Sequence, residues 1–202
     1  MYICENGCKW RRLPKEYGKR HVIYKRFRYW LEKGYIERLF VELCVQSISQ
    51  AEILAFLSDS MTVPVHPDAC GALKKRGEQA TGRSRGWPNN KIHMIATGLK
   101  HAVSFLLSSG NCHDAPQGRI LMDVDDYTRY IAQTLGFIPV VHPKSNRKNP
   151  WEYDKELYKL RNEIERLFRL LQGFRRVFCR FDKLDYVYIG FIQIALIFIA
   201  IR

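Results

Sequence analysis

The stretch "YKLRNEIERLFRLLQ", residues 158–172, sets Tyr158, Arg161, Glu165 and Gln172 among leucines. At about 100° per residue these four fall within roughly one sixth of a helical circumference and form one polar stripe. Leu157, Leu160, Ile164, Leu167, Phe168 and Leu171 gather on a neighbouring arc, the apolar stripe that a helix packs against a core. The spacing predicts one long helix ending near Gly173, with Glu165 at the border of its buried face. An Arg161–Glu165 pair at i,i+4, contributing about 0.3 kcal/mol, is enough to explain the stripe as surface chemistry. A face that carries chemistry would look the same, and the rest of the chain must decide.

The chain has 202 residues, 47% of them hydrophobic, enough for one globular domain with a small appendage and too many for a disordered chain. Thirty-three Lys and Arg against 20 Asp and Glu give a formal net charge of +13 and a pI near 9.6. Such a field attracts polyanions, nucleic acid first and an anionic membrane surface second. Cysteines at 4, 8, 44, 70, 112 and 179 lack the paired spacing of a zinc site and the density of a secreted scaffold. They read as reduced thiols in a cytoplasmic protein. The opening "MYICENGCKWRRLP" has no apolar signal core. The run "VYIGFIQIALIFIAI" near the C-terminus is shorter than the roughly 18–20 residues needed to span a bilayer and holds Gly190 and Gln193. It reads as a buried core helix or strand, with no membrane involved.

Residues 1–50 form a basic, aromatic region. Val22, Tyr24, Phe27, Trp30 and Leu31 trace one helical face, Gly34 breaks it, and Ile36, Leu39, Phe40 and Leu43 begin a second helix. Basic outer faces on two such helices could lie along DNA, although a solvated charged face has the same pattern. Residues 51–202 read as an α/β domain. Ile53, Ala55, Leu57, Asp59, Met61, Val63 and Val65 alternate with the period of a strand, so an aspartate sits among inward residues. A carboxylate there must be protonated, paired or bound to a cation, unless the strand end meets solvent.

Residues 67–90 read as a loop rich in Gly, Pro and basic side chains, including Lys74, Lys75, Arg76, Arg83 and Arg85, suited to phosphate contact. "KIHMIATG" and "HAVSFLLSSG" predict an antiparallel hairpin, "TRYIAQTLG" a short helix and "FIPVVHP" a strand. A basic chain with an inward strand aspartate, Asp59, and a helix-edge glutamate, Glu165, suggests metal-dependent phosphoryl transfer, for which a third carboxylate is wanted.

The blocks "CKWRRLPKEYGKRHVIYKRFRYW" (8–30), "DSMTVPVH" (59–66), "GRSRGWPNNKIH" (82–93), "GNCHD" (110–114), "PKSNRK" (143–148) and "EYDKELYKLRNEIERLFRLLQGFRR" (152–176) occur in the order seen in a known family. In them the chain resembles the DDE transposases of bacterial insertion sequences, in the group typified by insertion sequence five. The resemblance implies a ribonuclease-H-like mixed α/β sheet with flanking helices. It implies an enzyme dependent on Mg²⁺ (or Mn²⁺) that cuts its element's ends and joins them to target DNA. Double-stranded DNA, at the terminal inverted repeats and the target, is the implied partner of a homo-oligomer in the cytoplasm, associated with the nucleoid.

On that comparison Asp59 is the first catalytic carboxylate and metal ligand, and Glu165 the third. Tyr158, Arg161 and Glu165 match the family's Y-x2-R-x3-E-x6-K signature, with Gln172 in place of the lysine, which keeps a donor and loses a charge. Relatives carry the second aspartate at a strand end, in a segment like "LADKGYD" well beyond the "HD" motif, and have a longer N-terminal helical region. Here "APQGRILMDVDDYTRY" follows Asp114 directly, as if a strand or helix were deleted. Carrying the register back from "PKSNRK" lands on Ile120, whereas taking "ILMD" as the strand gives Asp123. Asp123 is taken as the second catalytic carboxylate and metal ligand, ahead of Asp125 and Asp126, against the alternative of an exposed acidic turn. Loss of that strand would leave one edge of the Asp59 strand open unless "ILM" or "IPVV" covers it.

Arg83, Arg85, Lys91, Lys144, Arg147 and Lys148, with Tyr158, Arg161 and Gln172, are the expected DNA contacts. His66, His93 and His113 are expected in structural hydrogen bonds. The implied activity is hydrolysis and transesterification of DNA phosphodiesters, and the alternative is a DNA-binding remnant without catalysis.

Overall fold

A computed structural model of the protein describes residues 1–50, 55–71, 77, 79–84, 86–98, 100–124, 152 and 154–202. The period-two pattern around Asp59 becomes strand β1, Leu57–Pro64, and the predicted hairpin becomes β3, Trp87–Gly98, and β4, His101–Ser109. A short strand β2, Gly82–Ser84, pairs with the start of β3. All pairings in this four-stranded sheet are antiparallel. β3 is central, with β1 on one side and β2 and β4 on the other. Residues 87–90, expected in a loop, belong to β3, because Pro64 and Val63 of β1 pair with Asn89 and Asn90 and extend the ladder.

Helices flank the sheet: α1 (Tyr2–Asn6), α2 (Arg20–Glu32), α3 (Tyr35–Gln50), α4 (Asp114–Val124), α5 (Lys155–Lys159), α6 (Arg161–Gln172), α7 (Arg175–Phe178) and α8 (Asp185–Ile201). The α/β class is thus observed.

Alternation divides the sheet residues between two layers. Leu57, Met61 and Val63 of β1, with Ile92, Met94 and Ala96 of β3, join the main core. Ile164, Leu167, Phe168 and Leu171 of α6 pack into that core, as the apolar arc predicted, together with Val187, Tyr188, Phe191, Ile192, Ala195, Leu196 and Ile199 of α8. The apolar C-terminal run is therefore a core helix. Among the described residues no helix is long and apolar enough to cross a membrane. Ile95, Val103 and Leu121 make a smaller core on the opposite face, under α4.

The N-terminal helices pack through a narrower stripe than their sequence suggested. Phe27, Ile36, Phe40 and Cys44 are buried, while Val22, Trp30 and Leu39 are exposed. Gly34, with φ of 68°, makes the predicted break between α2 and α3. At Gly190 a Cβ would run into the Leu31 side chain, so α2 and α8 approach closely there.

Two expectations change. The helix of residues 152–173 is divided at Leu160, where the backbone bonds Leu160 N–H to Leu157 O and Glu163 N–H to Leu160 O tighten to i,i+3. Its first piece, α5, is capped by Asp154, whose carboxylate accepts from the Glu156 and Leu157 N–H groups. Residues 120–123 are helical, not a strand. Asp114 opens α4 and Pro116 falls in its first turn, where a missing N–H costs nothing, so "ILM" cannot cover the edge of β1. Part of that edge is closed another way. Arg180 N–H donates to Pro64 O (3.0 Å) and His66 N–H to Arg180 O (2.9 Å), a parallel bridge beside the end of β1. The segments "TRYIAQTLG", "FIPVVHP" and "PKSNRK" lie outside the described residues.

Candidate active site

Asp59 sits on the face of β1 that carries Met61 and Val63, so it meets α6. Its side chain is only 22% exposed, and its charge is answered by Arg161, whose Nη2 donates to Oδ2 at 3.1 Å. The Arg161 Nη1 donates to the Tyr158 hydroxyl at 3.1 Å, and the Ser60 N–H donates to Asp59 Oδ1 at 2.9 Å. The Tyr158 hydrogen bond raises the Arg161 pKa, burial opposes this, and Asp59 adds to the rise.

At the other end of the stripe, Gln172 Nε2 reaches Met61 Sδ at 3.4 Å. Both ends of the stripe thus touch β1, and Glu165, between them on the same arc, is exposed. The local Arg161–Glu165 pair is not formed. Arg161 turns to Asp59, 102 residues away, and Glu165 has no ion pair among the described residues.

Two carboxylates and water suit a hard divalent ion such as Mg²⁺, which is commonly bound by one or two carboxylates plus substrate phosphate. The carboxylate of Asp59 is already neutralised by Arg161. Asp59 and Glu165 are of the donor type such an ion takes. Among the described residues no three ligating side chains gather. Asp123 lies near the C-terminal end of α4, and its side chain is outside the described residues, as are Asp125 and Asp126.

The "GNCHD" block has a structural role on the opposite face of the sheet. Lys91 Nζ donates to Asp114 Oδ1 (2.9 Å) and to Cys112 O (2.8 Å), anchoring the turn after β4 to β3. Burial works to raise the Asp114 pKa, but hydrogen bonds from Lys91 and the Ser60 side chain hold it below the usual carboxylate range. His93, buried beside this pair, makes a 2.7 Å hydrogen bond between Nε2 and Ser108 Oγ, and burial lowers its pKa. Lys91 is thus committed inward, with its side chain 18% exposed. Arg83 is exposed and, with Lys183, lines an open cleft of about 750 Å³ walled by Gly71, Gly77 and Gly82. Arg85, Lys144, Arg147 and Lys148 lie outside the described residues. His66 Nδ1 accepts from the Asp68 N–H, and His113 is exposed.

Sequence reasoning missed a buried arginine pair, of which Arg180 bridges the chain just beyond β1. Arg176 makes two bonds to the Asp182 carboxylate, at 2.9 and 2.7 Å, and a third to Cys8 O at 3.2 Å. Arg180, fully buried, donates to the Asp182 and Lys183 carbonyls (2.7 and 3.1 Å) and forms a 2.7 Å ion pair with Asp185. The available signal was "RRVFCRFDKLD", basic and acidic residues interleaved with aromatics in a segment too short to be a surface helix.

A family profile described as "Putative transposase of IS4/5 family (DUF4096)" matches residues 1–40, the block that Arg176 ties to the helices through Cys8. The chain is similar to an uncharacterized protein of Sinorhizobium fredii, 26% identical over 77 residues, covering 38% of this chain and 58% of that protein. It therefore spans little more than half of that relative. It is also similar to the "Putative transposase for insertion sequence element IS6501" of Brucella ovis, 24% identical over 127 residues, covering 55% of this chain and 98% of that protein. No solved structure matches the chain. The profile over residues 1–40 and the Brucella ovis match together support an insertion-sequence transposase.

Proposed function

We propose that the chain is a DDE-type transposase in which Asp59 and Glu165 hold Mg²⁺ (or Mn²⁺) at the ends of the insertion element. The observation that carries this reading is the Tyr158–Arg161–Asp59 chain of hydrogen bonds, made where the helix that bears Glu165 packs on β1. When bound, the ion lowers the cost of charge on the attacking and departing oxygens of a phosphodiester. Water displaces the 3′ oxygen from phosphorus and leaves a 3′ hydroxyl. That hydroxyl then attacks a target phosphorus and releases a target 3′ hydroxyl. Asp59 and Glu165 would hold the ion, with Asp123 as the third carboxylate.

The antiparallel β1–β3–β4 arrangement with α6 laid across β1 supports a ribonuclease-H-like domain. Arg83 and Lys183, at the mouth of their cleft, would take the DNA backbone by charge alone. The working form is a homo-oligomer on double-stranded DNA at the nucleoid.

One observation favours the second reading, a DNA-binding remnant without catalysis: among the described residues no three ligating side chains gather. Mg²⁺- or Mn²⁺-dependent nicking of labelled element-end duplex separates the two. Nicking by the native chain that disappears in Glu165→Gln and Asp123→Asn is expected of the enzyme. Salt-dependent binding with no nicking means the remnant.

A further inference from the structure

We propose that Trp87, at the tip of the β2–β3 hairpin, is a stacking platform for an unpaired DNA base. This rests on the reading that the chain binds DNA, and it holds for the enzyme and the remnant alike. Trp10 packs against the Tyr24, Phe27 and Phe191 rings, whereas Trp87 is 75% exposed, more than any other large hydrophobic residue among the described residues. Its position is nonetheless fixed. Ser84 pairs with Trp87, and Gly86, with φ of 86°, turns the chain between them. Below the turn the buried Asn89 donates from Nδ2 to Ser84 Oγ (2.6 Å) and Ser84 O (3.3 Å). Val65 N–H donates to Pro88 O (3.0 Å) and Gly110 N–H to Asn89 O (3.2 Å), so both residues after Trp87 are tied to the sheet. A ring carried on so firm a base loses little conformational freedom when it binds.

Charge and alternation name the partner. Arg83, exposed, pairs with Pro88 and so stands on the hairpin face opposite to Trp87. With Lys183 it lines the cleft of about 750 Å³. The tip thus offers a cation to a phosphate on one face and an aromatic ring on the other, the pair of groups that holds a single nucleic-acid strand. On a chain of net charge +13 the partner is a polyanion with π faces, whereas an anionic bilayer has the charge and no π faces. In a duplex each base face is covered by its neighbour, so the ring can lie on a base without breaking a stack only where that base is unpaired.

The test is fluorescence anisotropy of the full chain with two labelled DNAs, a duplex interrupted by a short single-stranded thymidine gap and the fully paired duplex of the same length. Trp87→Ala and Trp87→Phe are compared with the native chain; Trp87 lies outside both cores, so both variants are expected to melt as the native chain does. Trp87→Ala is expected to weaken binding of the gapped DNA about tenfold and to change binding of the paired DNA less than about twofold, with most of the loss restored in Trp87→Phe. Arg83→Gln is expected to weaken both DNAs alike and to lower the salt dependence of each. A Trp87→Ala chain that binds both DNAs as the native chain does, or loses both equally, overturns the stacking role and leaves DNA binding standing. Loss of flotation with phosphatidylserine vesicles in Trp87→Ala, with gapped-DNA binding intact, makes the ring a membrane contact and overturns the proposal as well. No salt-dependent binding of either DNA by the native chain overturns both the proposal and the DNA-binding reading.

Discussion

Arg176→Met is the substitution that most directly probes how the N-terminal block is fixed to the rest of the molecule. The Arg176 and Asp182 side chains are 6% and 10% exposed and share two bonds of 2.9 and 2.7 Å. The same guanidinium donates to Cys8 O and lies over the Phe181 and Phe191 rings at 5.5 and 5.1 Å. Methionine keeps most of the stem's packing but leaves a buried carboxylate without its countercharge, which costs about 3–5 kcal/mol. The orphaned Cys8 carbonyl adds about 1 kcal/mol. Against a total stability of about 5–15 kcal/mol this is a large fraction. Urea unfolding followed by tryptophan fluorescence should show the midpoint falling at a nearly constant slope. Arg176→Met/Asp182→Leu should recover most of the loss, since an apolar pair can replace a buried ion pair at little cost. A single variant that loses under about 1 kcal/mol, or a double variant no better than the single, would refute the claim that charge burial dominates here.

Asp59→Asn should shift stability by no more than about 1 kcal/mol, because its pair with Arg161 is partly exposed, while nicking falls by about 10³-fold. Thermal melts beside the nicking assay check both halves, and a collapse of stability would make Asp59 structural. Gly190→Ala should lower stability by about 1–3 kcal/mol, because its Cβ would run into Leu31, with recovery in Leu31→Ala/Gly190→Ala, measured by melting temperature. His93 has a pKa lowered from its ordinary 6.5 by burial, opposed by Asp114 and helped by Lys91. The unfolded chain therefore binds the proton first. The stability His93 contributes is present above pH 6.5 and lost as pH falls through its lower folded value. His93→Gln should flatten that acid limb in melts at stepped pH, and an unchanged slope would mean that other groups set it.

The features that local periodicity controls were legible in the sequence, and those that charge controls were not. Period-two alternation placed Asp59 on the core-facing side of β1, and the 3.6 period placed Ile164, Leu167, Phe168 and Leu171 inward, because burial of apolar area selects those faces directly. The partner of Arg161 was misjudged because an i,i+4 rule sees only the helix itself. Once α6 crosses β1, a half-buried carboxylate with one open oxygen is a better acceptor than a solvated glutamate. Lys91 went inward by the same logic, toward Asp114 and a turn carbonyl. Arg176 and Arg180 were invisible because charge is expected at the surface, and only the folded chain shows enough carbonyls and carboxylates around them to satisfy buried guanidinium groups.

Asp123 exposes the limit of reading by family template. Taking "ILMD" as the strand that the resemblance implies downstream of the "HD" motif is one of two registers, the other landing on Ile120, yet here Asp114 opens a helix at once. Leu121 of that helix closes the small core with Ile95 and Val103. A third carboxylate therefore cannot come from a strand at "ILMD" lying beside β1. The enzyme reading takes Asp123, near the end of α4, as that carboxylate, which is why the Asp123→Asn nicking result separates enzyme from remnant.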